Sequence, residues 1–211
     1  MAWARRHWDH FLAIRHSPDR DRFMAYLKEN QPGFFEAVLA DTRMTAAHRG
    51  ERFEHRSRLD GVLQAVRLCV VSDAFLGQVC YRAKTATWRM GIPFVPKVFH
   101  RLAIMTGQVC IGEPVILAPG VYLPHGQVVI DGIVHISERV LIAPFVSIGL
   151  IAGEFAGPTI GPGAKIGTGS RLLGPITIGA EAQIGANAVV VKDVPAGRVA
   201  VGIPAKVVGD G

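Results

Sequence analysis

Two histidines stand in the second half of this 211-residue chain, His125 and His135. His125 lies in Leu123-Pro124-His125-Gly126-Gln127, where a six-residue repeat slips by one position. Imidazole titrates near neutral pH, so its neutral form takes a hydroxyl proton and later returns it, which is general-base chemistry. His125, at the slip, is the candidate for that role. His135 falls late in a regular repeat and reads as an exposed or interface side chain. The three cysteines, Cys69, Cys80 and Cys110, lack metal-type spacing and lie among apolar residues. They read as buried free thiols in a reducing compartment. Cys110 suits a small packed residue better than an acylated nucleophile.

The elements that position His125 follow from the period. From Ile160 an aliphatic residue opens every sixth position: Ile160, Ile166, Leu172, Ile178, Ile184, Val190. Ile148, Ile142, Ile136 and Ile130 stay in phase, and beyond the slip Leu123, Leu117 and Ile111 continue the series. A small residue usually follows four positions later. Neither a helix nor an alternating strand has this period; a triangular parallel coil does, with three hexads to a turn. The aliphatic residue points inward, the small residue sits at the corner, and about four to five turns result. The largest break, Leu150 to Thr159, reads as a loop leaving the coil.

The first half has helical periodicity. Ser17-Pro18 signals a start, and Asn30-Gln31-Pro32-Gly33 an end. Phe34–Thr42 predicts a second helix, Leu59–Arg89 one or two more with a break near Gly91-Ile92-Pro93, and Val95–Ile104 a last one. The division is a helical unit over 1–106 and a coil over 107–211. Seventeen of the 23 Lys/Arg and ten of the 17 Asp/Glu precede Gly107, so the net charge of +6 belongs to the helical half. Its charges are interleaved, as in Arg20-Asp21-Arg22, which argues for solvated helix faces and against a nucleic-acid partner. Val62–Cys80 contains Arg67 and Asp73 and does not suit a bilayer, and the N-terminus lacks a signal-peptide pattern, so the cytoplasm is expected.

The coil resembles the hexapeptide-repeat acyltransferases, and the whole arrangement is similar to their serine acetyltransferase branch. The resemblance is carried by the tail Ile184-Gly-Ala-Asn-Ala-Val-Val-Val-Lys-Asp-Val-Pro with Val201-Gly-Ile-Pro-Ala-Lys-Val-Val, by Phe75–Gly91 with Tyr81-Arg82 and Trp88, and by Val109-Cys-Ile-Gly through Leu123-Pro-His125. It implies an α+β chain: a helical segment followed by a left-handed parallel β-helix, assembled as a homotrimer or a dimer of trimers. It also implies acetyl-CoA as co-substrate and His125 as the base.

Three positions depart from the family pattern. Cys110 stands where the family has the aspartate that pairs with its histidine, Pro124 replaces an aspartate before that histidine, and Gly157 replaces a second histidine. Cys110, Gly157 and Asp60 are the positions matched to acceptor binding, Asp60 as its carboxylate. A histidine base needs its other nitrogen held; with Cys110 in place, a backbone carbonyl or Glu154 from the break would serve. The resemblance places CoA against Gly149, Thr168, Ala186 and Val191, with Lys192 and Lys206 for its phosphates. Acetyl transfer to a small hydroxyl, L-serine first, is the function implied. The alternatives are a sugar or other small alcohol as acceptor, or a non-catalytic scaffold. A zinc enzyme on the same coil needs three histidines between subunits, and the coil carries two, so no metal is expected.

Overall fold

The structure, a computed structural model, describes residues 20–154 and 156–210; the Ser17-Pro18 start signal lies outside them. The helices are α1 (Arg20–Glu29), α2 (Phe34–His48), α3 (Arg58–Val71), α4 (Phe75–Arg89) and α5 (Val95–Gly107). Helix α2 runs a turn and a half past the expected Thr42. The expected Leu59–Arg89 segment divides in two at Ser72-Asp73-Ala74. Ser57 starts α3 by accepting the Asp60 N–H at its hydroxyl, which satisfies one orphan donor of the first turn. No described helix is long and apolar enough to cross a membrane.

After α5, Gln108 takes a left-handed conformation (φ 50°) and turns the chain into a parallel β-solenoid of five turns. One face, A, stacks β1 (Val109–Ile111), β3 (Val128–Ile130), β6 (Ser147–Gly149), β9 (Arg171–Leu173) and β12 (Val189–Val190). Face B stacks β2 (Val115–Leu117), β4 (Ile133–Ile136), β7 (Ala156–Ile160) and β10 (Thr177–Ile178). Face C holds β5 (Leu141–Ile142), β8 (Lys165–Ile166), β11 (Gln183–Ile184), β13 (Arg198–Gly202) and β14 (Ala205–Asp210), the last antiparallel to β13. The hexad-opening residues form inward ladders: Ile130 over Ile148, Leu172 and Val190 on face A; Leu117 over Ile136, Ile160 and Ile178 on face B. All are buried, and each full aliphatic burial is worth about 1.5–3 kcal/mol.

Two expectations about the coil are corrected. The backbone demand at the corners falls one residue before the small one: Gly163, Gly169, Glu181 and Asn187 have positive φ there, as do Arg139 and Phe145. Second, Ala156–Thr159 is strand, not loop. It enters β7 across a bulge in which Gly157-Pro158 opposes Val134, a place where the missing proline N–H costs no ladder bond. Among the described residues of the break, 150–154 leave the coil.

Helix α4 lies across the first turn and satisfies its unpaired carbonyls. Lys84 donates to Ile111 O at 2.5 Å, Tyr81 to Val115 O at 3.0 Å and Gln78 to Val121 O at 3.0 Å. Arg82 donates to Leu117 O and Ala118 O, and Gln31 adds a bond to Val115 O. These polar side chains are buried because they stand in for a missing rung, as buried peptide groups require. At the other end β14 folds back on β13. His135 is also buried, within face B at the level of Ile116 and Thr159; the expectation of an exposed or interface side chain is corrected.

Candidate active site

His125 is fixed by two close approaches. A side chain on Gly126 would run into the Gly107 carbonyl, so glycine alone lets the second turn pass this near the end of α5. The turn between α3 and α4 then presents Asp73, whose Oδ2 lies 2.7 Å from His125 Nδ1. A carboxylate only accepts, so Nδ1 carries the proton and Nε2 keeps its lone pair. The pair borders an open cleft of about 570 Å³ that is also lined by Thr106, Gln108, Gln127 and Phe145. Within one protomer both side chains are solvent-exposed, 59% for His125 and 72% for Asp73. Asp73 escaped the sequence reading; its signal was the polar pair Ser72-Asp73 interrupting an apolar helical pattern.

Glu154 does not take this role within the protomer. Strand β6 crosses face A from the Phe145 corner to Gly149, and the break begins only there. Its Leu150 and Ile151 side chains lie over Gly132 and Gly174, along the opposite edge of face A from His125. Glu154 is exposed. Cys110 points outward from β1, half-buried beside Val129, and is not among the residues lining the cleft. Asp73 supplies the carboxylate from a different element.

Asp60 is also spoken for. Arg52 donates to both its oxygens, at 2.8 and 2.9 Å, and the Arg56 N–H donates at 2.8 Å. The Arg52 hydrogen bond, with that from Arg56, holds the Asp60 carboxyl well below the usual range. It organises the turn before α3 and does not line the His125 cleft. Gly157 lies buried in β7, and a Cβ there would meet Val134 Cγ2 at 2.6 Å; no side chain reaches the cleft from that position.

The cofactor candidates fall in three places. Thr168 and Ala186 sit at the corner that carries Gln127 and Phe145, one and two turns beyond Phe145, joined through Asn187 N–H to Thr168 O at 2.8 Å. Val191, Lys192 and Lys206 come together in a groove of about 380 Å³ between the end of β12 and β14. Gly149 ends β6, at the far edge of face A from His125. Among the described residues no group of three or more His, Cys, Asp or Glu side chains is placed to hold a metal ion.

A five-turn hexapeptide coil with a histidine–aspartate pair in an edge cleft defines an acyltransferase of the hexapeptide-repeat class. The family model "Bacterial transferase hexapeptide (six repeats)" matches residues 157–192. A serine acetyltransferase of Helicobacter pylori is 34% identical over 134 residues, 62% of this chain and 78% of the relative. The chain belongs to the serine acetyltransferase family. The soybean serine acetyltransferase structure complexed with serine superposes with a TM-score of 0.69 at 27% identity, covering 85% of this chain and 71% of that one. A serine acetyltransferase complexed with CoA shares the fold, with a TM-score of 0.65 at 24% identity over 81% of this chain and 68% of that one.

Proposed function

We propose that the protein transfers the acetyl group of acetyl-CoA to the hydroxyl of a small acceptor, with His125 as general base. The observation that carries this is the 2.7 Å contact of His125 Nδ1 with Asp73 in the edge cleft. With Nδ1 committed, Nε2 takes the acceptor's hydroxyl proton as its oxygen attacks the thioester carbonyl. The tetrahedral intermediate collapses, the C–S bond breaks, and the leaving sulfur takes the proton back from Nε2. Asp73 stabilises the imidazolium formed between these transfers.

Thr168 and Ala186, small residues on the His125 edge, support a pantetheine path along that corner. Lys192 and Lys206 are the phosphate partners in this reading, and Gly149 and Val191 belong to the opposite edge of face A. A slot bounded by both edges of face A takes two protomers, which supports a homotrimer; pairing of trimers through the helices is the larger assembly proposed. Use of acetyl-CoA fits the cytoplasm.

The test is CoA release from acetyl-CoA by purified protein, with and without L-serine, in wild type and His125→Ala. Acceptor-dependent release that falls about 10²–10⁴-fold in the variant is expected. Undiminished release in His125→Ala overturns the base assignment.

A further inference from the structure

A parallel coil buries its inward residues, and its outward ones meet solvent unless another part of the chain lies on them. Faces A and C keep to this. The outward row of face A, Cys110, Val129, Ser147, Arg171 and Val189, is exposed or half-buried throughout. So is that of face C, Leu141, Lys165, Gln183 and Val199. Face B departs from it. Its outward row runs Ile116, His135, Thr159 and Thr177 in register. The first three are wholly buried, and Thr177 is half-buried.

Helix α1 accounts for the upper end of the face. Tyr26 and Leu27 cluster with Ile116, and Ile133 and Trp88 pack against them. Just after the helix, Gln31 bonds Val115 O in the first turn. Followed backwards from Gln31, the chain thus passes from the first turn toward the second, and its direction carries it on toward β7 and β10. Thr159 lies about 10 Å below Ile116 at the usual strand spacing, and it needs a cover of its own. The chain has one in the residues ahead of α1. On a helical wheel Trp3, Ala4, Trp8, Phe11, Leu12 and Ile14 gather on one half, and Arg5, Arg6, Asp9, His10 and His16 on the other. A helix of this length is marginal in water and gains its stability by burying such a face. Sixteen helical residues span about 24 Å, more than the four rungs of face B occupy. Ser17-Pro18 divides this stripe from α1, so it lies on the face as a separate element.

We infer that residues 1–16 form an amphipathic helix that straps the outer surface of face B in the same chain, its aromatic stripe laid over the Thr159 and Thr177 rungs. The threonines suit this use: they are short and β-branched, and they leave a flat platform on which indole and phenyl rings pack. The strap closes face B to a second coil and leaves faces A and C for neighbouring protomers. It stands whether or not the chain transfers acetyl groups.

The experiment uses the full chain. With Trp88→Phe the remaining tryptophans are Trp3 and Trp8. Their emission should be blue-shifted, and acrylamide should quench it severalfold less than in a free peptide of residues 1–16. Thr159→Cys is the second reporter. Its labelling by a maleimide, located by peptide mass, should be about 100-fold slower than in the same chain carrying Trp8→Glu and Phe11→Glu. The tryptophan measurement decides the matter if those two glutamates prevent folding. Peptide-like quenching in the full chain, or equal labelling with and without the glutamates, overturns the proposal. Shielding that is lost on dilution, or that arises only with phosphatidylglycerol vesicles, assigns the stripe to a second copy or to a membrane surface and overturns it too.

Discussion

Asp41 of α2 and Arg82 of α4 form a fully buried ion pair, with Nε to Oδ2 at 2.8 Å, that both residues extend into the first coil turn. Arg82 takes the Leu117 and Ala118 carbonyls, and Asp41 Oδ1 accepts the Gly120 N–H at 2.8 Å. The pair therefore joins two helices to the coil. Asp41→Ala leaves a buried guanidinium half-satisfied and should cost about 3–5 kcal/mol. Urea unfolding of the variant checks this; a loss below about 1 kcal/mol would mean the pair is dispensable.

In the proposed reaction Asp73 acts through His125, and it lies at the surface. Asp73→Asn should lower kcat about 10–100-fold, with the melting temperature and acetyl-CoA affinity unchanged. Asp73→Glu should recover part of the loss. A variant that loses stability in step with activity would show a merely structural role.

Lys84 gives a pH signature. Burial pushes its ammonium down from 10.5 to about 8. Between those values the unfolded chain binds more protons than the folded one, so stability rises with pH across that window. Below about pH 8 the full cost of holding a buried cation is present. Relative to Lys84→Met, the wild type should gain up to about 3 kcal/mol between pH 8 and 10.5. Paired urea titrations at the two ends of that range measure it, and a difference that stays flat or falls contradicts the assignment.

Gly157→His restores the residue type of the family pattern at a site with no space for it. A Cβ at 2.6 Å from Val134 predicts overpacking of about 1–3 kcal/mol. No gain in serine-dependent CoA release should accompany it. A variant of wild-type stability with new serine activity would refute this.

The period of six revealed the coil because every turn must stack the same inward ladder, from Ile111 to Val190, and this constraint is written locally in each hexad. The corner chemistry was half legible. Glycine at 163 and 169 and Asn187 mark a left-handed position, but Glu181, Arg139 and Phe145 occupy it too, and their side chains give no such signal. His125 was legible because it sits at the slip. Asp73 was not: it is 52 residues away in sequence, and only the packing of α4 and α5 on the coil brings it near. His135 looked surface-bound because its alternation points out of the coil, and outward on face B is also where the chain buries it. Lys84 and Gln78 are polar residues of a helix, and it is the naked carbonyls of the first turn that make them interior ones.

A parallel coil has no intrinsic length, since each rung offers the next the same hydrogen-bonding row. Here α4 occupies the carbonyls of the first turn, and at the other end β14 turns antiparallel against face C of the last. The helical half thus plugs the first turn as well as positioning Asp73 against His125. It denies a second molecule the template on which stacked coils would otherwise grow into a fibre.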